Sequence, residues 1–156
     1  MKNLCIHYFT ATGNTLHAVN IMKNQFLKKG YKVYLQRVEG KVNYTNQKYD
    51  YHIFAFSIFA FSASILMKKY IQKIPKGNNE KVAILAICGG LIIKNKLLEG
   101  WPGQAIEQIE DILTKKNYNV FLSNFISYPD NWTQFTNPPD EKDKLIINHY
   151  FTGAER

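Results

Sequence analysis

Three short stretches of this chain, LCIHYF at 4–9, YHIFAFS at 51–57 and VAILAI at 82–87, are almost continuously apolar and too short for ordinary helices. A strand without a regular polar face must be covered on both sides, which is the condition of strands inside a parallel sheet. Parallel neighbours need crossover connections, and segments with helical spacing lie between these runs. The pattern therefore specifies an α/β chain whose sheet is sandwiched between helices.

Residues 3–9 read as the first strand, and a helix follows from about Asn14 with Leu16, Val19, Met22, Phe26 and Leu27 as its apolar stripe. Lys28, Lys29 and Gly30 supply its stop signals. Residues 31–38 alternate, with Val33, Leu35 and Arg37 on one side, as an edge strand would. After the strand at 51–57, Ile65, Leu66, Lys69, Tyr70 and Ile74 recur at helical spacing until Pro75, Lys76 and Gly77 break the pattern. The strand at 82–87 is expected to end at Cys88, Gly89 and Gly90. A helix at 105–113 turns Ile106, Ile109, Ile112 and Leu113 inward, residues 120–126 form a fifth strand, and a short last helix is expected from Asp140 through Leu145, Ile146, Ile147 and Tyr150. With 156 residues, 46% of them hydrophobic, one domain over 1–156 accounts for the length.

Several classes are disfavoured. Residues 51–67 carry no charge, but the run is at the short limit for a membrane span and three serines interrupt it, so two buried elements joined by a loop are expected, with no membrane span. The opening lacks the uninterrupted apolar region of a signal peptide, which points to the cytoplasm. Cys5 and Cys88 have no CxxC or Cys/His ligand spacing, and His7, His17, His52 and His149 have no HExxH-type spacing, so no metal site is assigned. Cys5 reads as a buried reduced thiol. The net charge of +8 is carried mostly by scattered lysines, and only Arg37 and Arg156 offer the side chain that base readout favours; no nucleic-acid partner is expected. The lysines serve solubility or attract an acidic partner or anionic ligand. No Ser/His/Asp or paired-carboxylate constellation is assigned.

The junction FTATGNT, residues 9–15, gathers hydroxyls, a glycine and an asparagine where a strand passes into a helix. Two readings fit: an ordinary helix N-cap, and an anion site in which hydroxyls and free N–H groups hold a phosphate. A Walker A loop and a GxGxxG turn are both absent, because Gly13 is the only glycine before Gly30 and no Lys or Arg lies between Lys2 and Lys23.

Thr10-Ala11-Thr12-Gly13-Asn14-Thr15 resembles the [ST]xTGNT loop with which flavodoxins hold the phosphate of FMN. The resemblance implies hydroxyls from Thr10, Thr12 and Thr15 and backbone N–H groups from Gly13 and Asn14, with Ala11 in the same cofactor-binding loop. It further implies a flavodoxin-like three-layer sandwich with a five-stranded parallel sheet in the order 2-1-3-4-5, and a cofactor at the C-terminal strand ends near the switch point. On that basis a second loop, Ser57, Ile58, Phe59, Ala60 and Phe61, would flank the isoalloxazine with its aromatic rings, whereas the residues alone fit a core role equally well. A third, at Cys88, Gly89 and Gly90, would approach the flavin edge with its backbone or serve as a plain turn.

A closer resemblance, covering nearly the whole chain, is to the flavodoxin-like half of bacterial flavodoxin–ferredoxin fusion proteins. It rests on residues 8–15, 57–64, 89–103 and 129–139. Ser57 and Ser64 stand where proline is usual, Phe59 where tyrosine is usual and Ser62 where glycine is usual. These residues include no cysteine-rich ferredoxin segment, so no internal transfer to iron–sulfur clusters is expected. Trp132 either folds over the cofactor mouth or anchors the tail, and Trp101 with Pro102 packs the loop before the next helix.

What the resemblance implies is an FMN-binding electron-transfer protein with a redox protein partner, ferredoxin-like or acidic; the positive surface of this chain is expected to favour the anionic reduced flavin and to select acidic partners. An FMN-dependent NAD(P)H:quinone-type reductase is the first alternative. A flavin-free degenerate domain that only docks to a partner is the second.

Overall fold

The structure, a computed structural model, describes residues 1–40, 48–94 and 96–129. The expected tail helix, Trp132, the 129–139 stretch beyond residue 129 and His149 lie outside the described residues. Parallel pairing joins β1 (Asn3–Phe9) to β2 (Lys32–Arg37) on one side and to β3 (Tyr51–Phe59) on the other. Next to β3 lies β5 (Lys81–Ile93), followed by β7 (Asn119–Pro129), again in parallel. The five parallel strands thus follow the 2-1-3-4-5 order. Two short strands, β4 (Ser62–Ala63) and β6 (Lys96–Leu98), fold back antiparallel onto the ends of β3 and β5, making seven strands among the described residues.

Alternation along the strands divides the apolar residues between two cores. Leu4, Ile6, Tyr8, Ile53, Ala55, Leu85 and Ile87 face α1 (Asn14–Lys28), which contributes Ala18 and Val19. Phe54, Phe56, Val82, Ile84 and Ala86 face α2 (Ile65–Lys73) and α3 (Ala105–Lys115), which contribute Met67, Tyr70, Ile71, Ile109 and Leu113. No helix among the described residues is long and apolar enough to cross a membrane.

Four local expectations are corrected. The strand at 51–57 runs on to Phe59 and the one at 82–87 runs on to Ile93, so Cys88, Gly89 and Gly90 lie inside β5. Gly89 and Gly90 do not stop the strand because β7 pairs with them, at Tyr128 and Pro129. In α2 the inward residues are Met67, Tyr70, Ile71 and Ile74, while Ile65 and Leu66 are exposed, because Ser64 starts the helix and fixes its phase. Leu27 is exposed as well, and Ala18 takes the inward role.

In β7, Val120 stands opposite Val82 and Leu122 opposite Ala83, so Phe121 is the extra residue of a bulge.

One polar chain crosses the α2 side of the core. His7 Nδ1 is 2.8 Å from the Tyr70 hydroxyl, and His7 Nε2 is 3.0 Å from His52 Nδ1. Burial and the neighbouring His52 hold His7 well below the ordinary histidine range, and burial brings His52 down to about 4. Both imidazoles are neutral in the folded chain and take up protons more readily when it unfolds. Their contribution to stability is full above about pH 6.5 and is lost as the pH falls towards 4, at up to about 1.4 kcal/mol per pH unit for each ring. We predict that the urea midpoint drops steeply between about pH 6.5 and pH 4.5; a flat profile across that window would refute the neutral pair.

Candidate functional site

The loop between β1 and α1 begins at the C-terminal end of the strand at the centre of the crossover. Gly13 takes φ +103°, a conformation in which a side chain would be strained, and caps α1 without a side-chain acceptor. Thr10 Oγ1 accepts from the Gly13 N–H at 3.0 Å, which curls the loop back over the strand end. The first turn of α1 contains no acidic residue. Its leading N–H groups have no helical carbonyl to accept them, and its dipole places positive potential at this end.

Thr15 is fully buried, and its hydroxyl lies 2.8 Å from that of Ser57 on β3. This contact ties the first predicted loop to the second. It also gives a local reason for Ser57, since proline has no hydroxyl to offer. Two other departures have similar reasons: Ser64 Oγ accepts from the Met67 N–H at 3.2 Å and caps α2, and Ser62 Oγ donates to Gln108 Oε1 at 2.9 Å. Lys68 Nζ reaches both Ser62 Oγ and Gln108 Oε1, so α2 and α3 together hold the base of the β3–β4 turn.

That turn is a two-residue hairpin rather than an open loop. Phe59 pairs with Ser62, and Ala60 and Phe61 between them have φ of 47° and 61°. Such turns usually carry Asn or Gly at these positions, so the pair stores strain. Segment 101–104 holds the strain in place: Gln104 donates its N–H to the Phe61 carbonyl at 3.1 Å, and the rings of Phe61 and Trp101 lie 5.2 Å apart. Trp101 therefore packs on the hairpin tip while staying 70% exposed. Phe59 leans on Phe9 and is also half exposed, so neither Phe59 nor Phe61 belongs to the core.

The third predicted element is closed on its far side. Ser127 Oγ accepts from the Gly100 N–H at 2.8 Å and lies 3.3 Å from Cys88 Sγ. Segment 99–100 presses on Gly89 so closely that a Cβ on Gly100 would fall 1.8 Å from the Gly89 carbonyl oxygen. Burial raises the Cys88 thiol, the hydrogen bond with Ser127 only partly opposing it, so Cys88 is a thiol and not an activated thiolate. Burial likewise pushes Cys5 up to about 12. Among the described residues no three His, Cys, Asp or Glu side chains are grouped as a metal would require.

Solved structures share this arrangement of strands and helices across nearly their full length. Oxidised flavodoxin 2 from Bacillus cereus superposes with a TM-score of 0.65 at 16% identity, covering 98% of each chain. The fold is the flavodoxin fold. Two-electron reduced flavodoxin from Megasphaera elsdenii gives a TM-score of 0.59 at 15% identity, over 92% of this chain and 96% of that one. A flavodoxin from Streptococcus pneumoniae TIGR4 gives 0.60 at 10% identity, over 95% and 94%. No protein-family model and no curated protein matches the sequence. The three predicted segments thus stand together at the C-terminal edge of a flavodoxin-like sheet.

Residues that sequence reading left out complete this edge. His17 Nδ1 is 2.9 Å from the Tyr128 hydroxyl, which fixes the first turn of α1 against β7, and Ser127 and Gly100 close the β5 side. Their partners are over a hundred residues away or on another strand, so local spacing carried no sign of them. We predict that Ala60→Gly raises stability by about 0.5–1 kcal/mol by relieving the turn. Gly103→Ala should lower it by about 2 kcal/mol, because its Cβ would fall 2.4 Å from that of Phe61 at a positive φ. Urea midpoints that move in the opposite directions would contradict the strained-turn description.

Proposed function

We propose that this chain binds FMN at the C-terminal edge of its sheet and acts as a single-domain electron carrier. The observation that carries the reading is the N-terminus of α1, capped by Gly13, free of acidic side chains in its first turn and set beside Thr10 and Thr12, whereas the Thr15 hydroxyl, expected to face the phosphate, is buried against Ser57. That donor set suits a phosphate dianion without any cationic side chain. The flavin fold neighbours support the same reading, as does the pair of half-exposed rings beside the loop.

When bound, FMN would supply the redox chemistry. The chain's own residues divide the remaining work. The hydroxyls of Thr10 and Thr12 and the N–H groups of Ala11, Thr12, Asn14 and Thr15 would hold the phosphate, the Gly13 N–H being taken by Thr10 Oγ1, while Thr15 and Ser57 brace the loop against β3. Ser57, Ile58 and Ala60 carry the backbone that presents Phe59 and Phe61, whose apolar faces exclude water from a flat ring. Cys88, Gly89 and Gly90 bound the site from β5, with the thiol held neutral.

Absorbance of the purified protein, followed by titration with FMN and with riboflavin, tests this directly. We expect one FMN per chain and much weaker binding of riboflavin, which lacks the phosphate. Thr10→Ala should weaken FMN about tenfold and leave riboflavin nearly unchanged, the loss of one hydrogen bond to the cradle. Equal affinities for the two flavins, or none for either, would remove the proposal. Steady oxidation of NAD(P)H with a quinone would instead assign the chain to the reductases.

A further inference from the structure

Trp101 and Ile65 are, after Met1, the most exposed large apolar side chains among the described residues, and Leu66 is exposed beside Ile65. All three stand at the edge where the parallel strands end. Because α2 is the crossover that follows β3, its first residues, Ile65 and Leu66, lie at that edge and its last, Lys73, lies towards the opposite one. Trp101 is held there by the ring of Phe61, 5.2 Å away in the β3–β4 turn. Lys68 Nζ, 3.2 Å from Ser62 Oγ, ties the start of α2 to the residue next to Phe61, so the turn and the helix start adjoin.

Behind this apolar end the charge is of one sign. Between Asp50 and Glu80 the sequence has no acidic residue, while Lys68, Lys69, Lys73 and Lys76 fall in the same stretch. The outward face of α2 reads Ile65, Leu66, Lys69, Gln72 and Lys73, all exposed, opposite the inward Met67, Tyr70 and Ile71. Lys116 Nζ adds a cation at the end of this helix, where it donates to the Gln72 carbonyl at 3.0 Å. Lys69, Lys73 and Lys76 form no ion pair among the described residues. On the adjoining segments Glu110 is bonded to Ser123 and Asp111 pairs with Lys115, which leaves Glu99 and Glu107 as the carboxylates flanking Trp101 and the start of α3. A helix rises about 1.5 Å per residue, so Lys69 and Lys73 stand about 6 Å and about 12 Å behind Ile65.

We propose that this end of the molecule binds the surface of an anionic phospholipid bilayer, with Trp101, Ile65 and Leu66 entering the boundary between headgroups and acyl chains and Lys69, Lys73 and Lys76 contacting lipid phosphates. Indole and aliphatic groups are stable at that boundary, and lysine stems are long enough to bring their charges to the phosphates above it. The net charge of +8 draws the whole chain to such a surface. Charge alone would suit any acidic partner. The depth order, apolar groups first and cations one and two turns behind, suits a layered one. Binding of this kind lies on the membrane and needs no spanning helix. It does not rest on flavin binding, since Phe59 and the phosphate loop take no part.

The full-length protein would be sedimented with vesicles of phosphatidylcholine alone and of phosphatidylcholine with about 30% phosphatidylglycerol. We expect binding to the anionic vesicles, at least about tenfold weaker binding to the neutral ones, and about tenfold weakening between about 20 and about 300 mM NaCl. Trp101→Ala with Ile65→Ser should weaken binding at least about tenfold at both salt concentrations, and Lys69→Glu with Lys73→Glu and Lys76→Glu should remove the preference for anionic vesicles. In Trp132→Phe, where Trp101 is the remaining tryptophan, emission should shift to the blue and acrylamide quenching should fall when anionic vesicles are added. Far-UV spectra matching the parent establish that each variant is folded. No binding to anionic vesicles, equal binding to neutral ones, or binding that Trp101→Ala with Ile65→Ser leaves unchanged overturns the proposal. So does equally tight capture by soluble polyglutamate that ignores Trp101→Ala, since the lysines would then serve acidic proteins in general. A dimer that the Trp101 and Ile65 substitutions dissociate overturns it as well, because a second copy would then cover this end.

Discussion

Parallel pairing of β1 with β3, and of β3 with β5, is the constraint on which the rest of the molecule depends. Each pairing obliges the chain to cross a face of the sheet before it returns, so α1, α2 and α3 are placed by topology before any side chain chooses a partner. Connections that leave these strands at their C-terminal ends must then share one edge. Thr10, Ser57 and Cys88 begin far apart in the chain and meet there for that reason. The Thr15–Ser57 hydroxyl pair fixes the distance between two of these connections.

Tension between local preference and global pairing is concentrated at this edge. Ala60 and Phe61 sit in conformations that glycine would adopt more readily, and Gly100 and Gly103 are needed where backbone meets backbone. Strain of this kind persists only where surrounding contacts over-determine the geometry. Here Gln104, Gln108 and Lys68 supply those contacts from α3 and α2. Elsewhere the sheet follows ordinary preferences, with β-branched and aromatic residues filling β1, β3 and β5.

The parallel sandwich was legible in the sequence because runs such as VAILAI have no polar face to give to water. The TGNT junction was legible because its composition reflects a local backbone event, the left-handed Gly13 ahead of a helix. Gly89 and Gly90 misled for the opposite reason. A glycine pair usually marks a turn, but here β7 pairs alongside and Leu98 comes within 2.5 Å of where a Gly90 Cβ would stand, so the residues serve close approach inside a strand. Ile65 and Leu66 misled because apolar spacing alone cannot distinguish a face turned to the core from one turned outward; the Ser64 cap sets that phase. His7, His52 and Tyr70 could be read as isolated polar residues in apolar stretches, and only the fold brings them into one hydrogen-bonded chain.

The bulge at Phe121 acts as a parity switch for everything downstream in β7. With the extra residue present, Tyr128 points towards α1 and bonds His17, while Ser127 points towards Cys88 and Gly100. Were Phe121 to pair in register instead, each later residue would shift one place along β5 and Ile126 would take the place of Ser127 opposite Cys88, since side chains alternate between faces. Its bulk would fall where a small hydroxyl now fits beside two close-packed glycines, and the first turn of α1 would lose its anchor. A residue at the far end of the sheet, touching nothing in the candidate site, thereby decides which face of the last strand the site is built from.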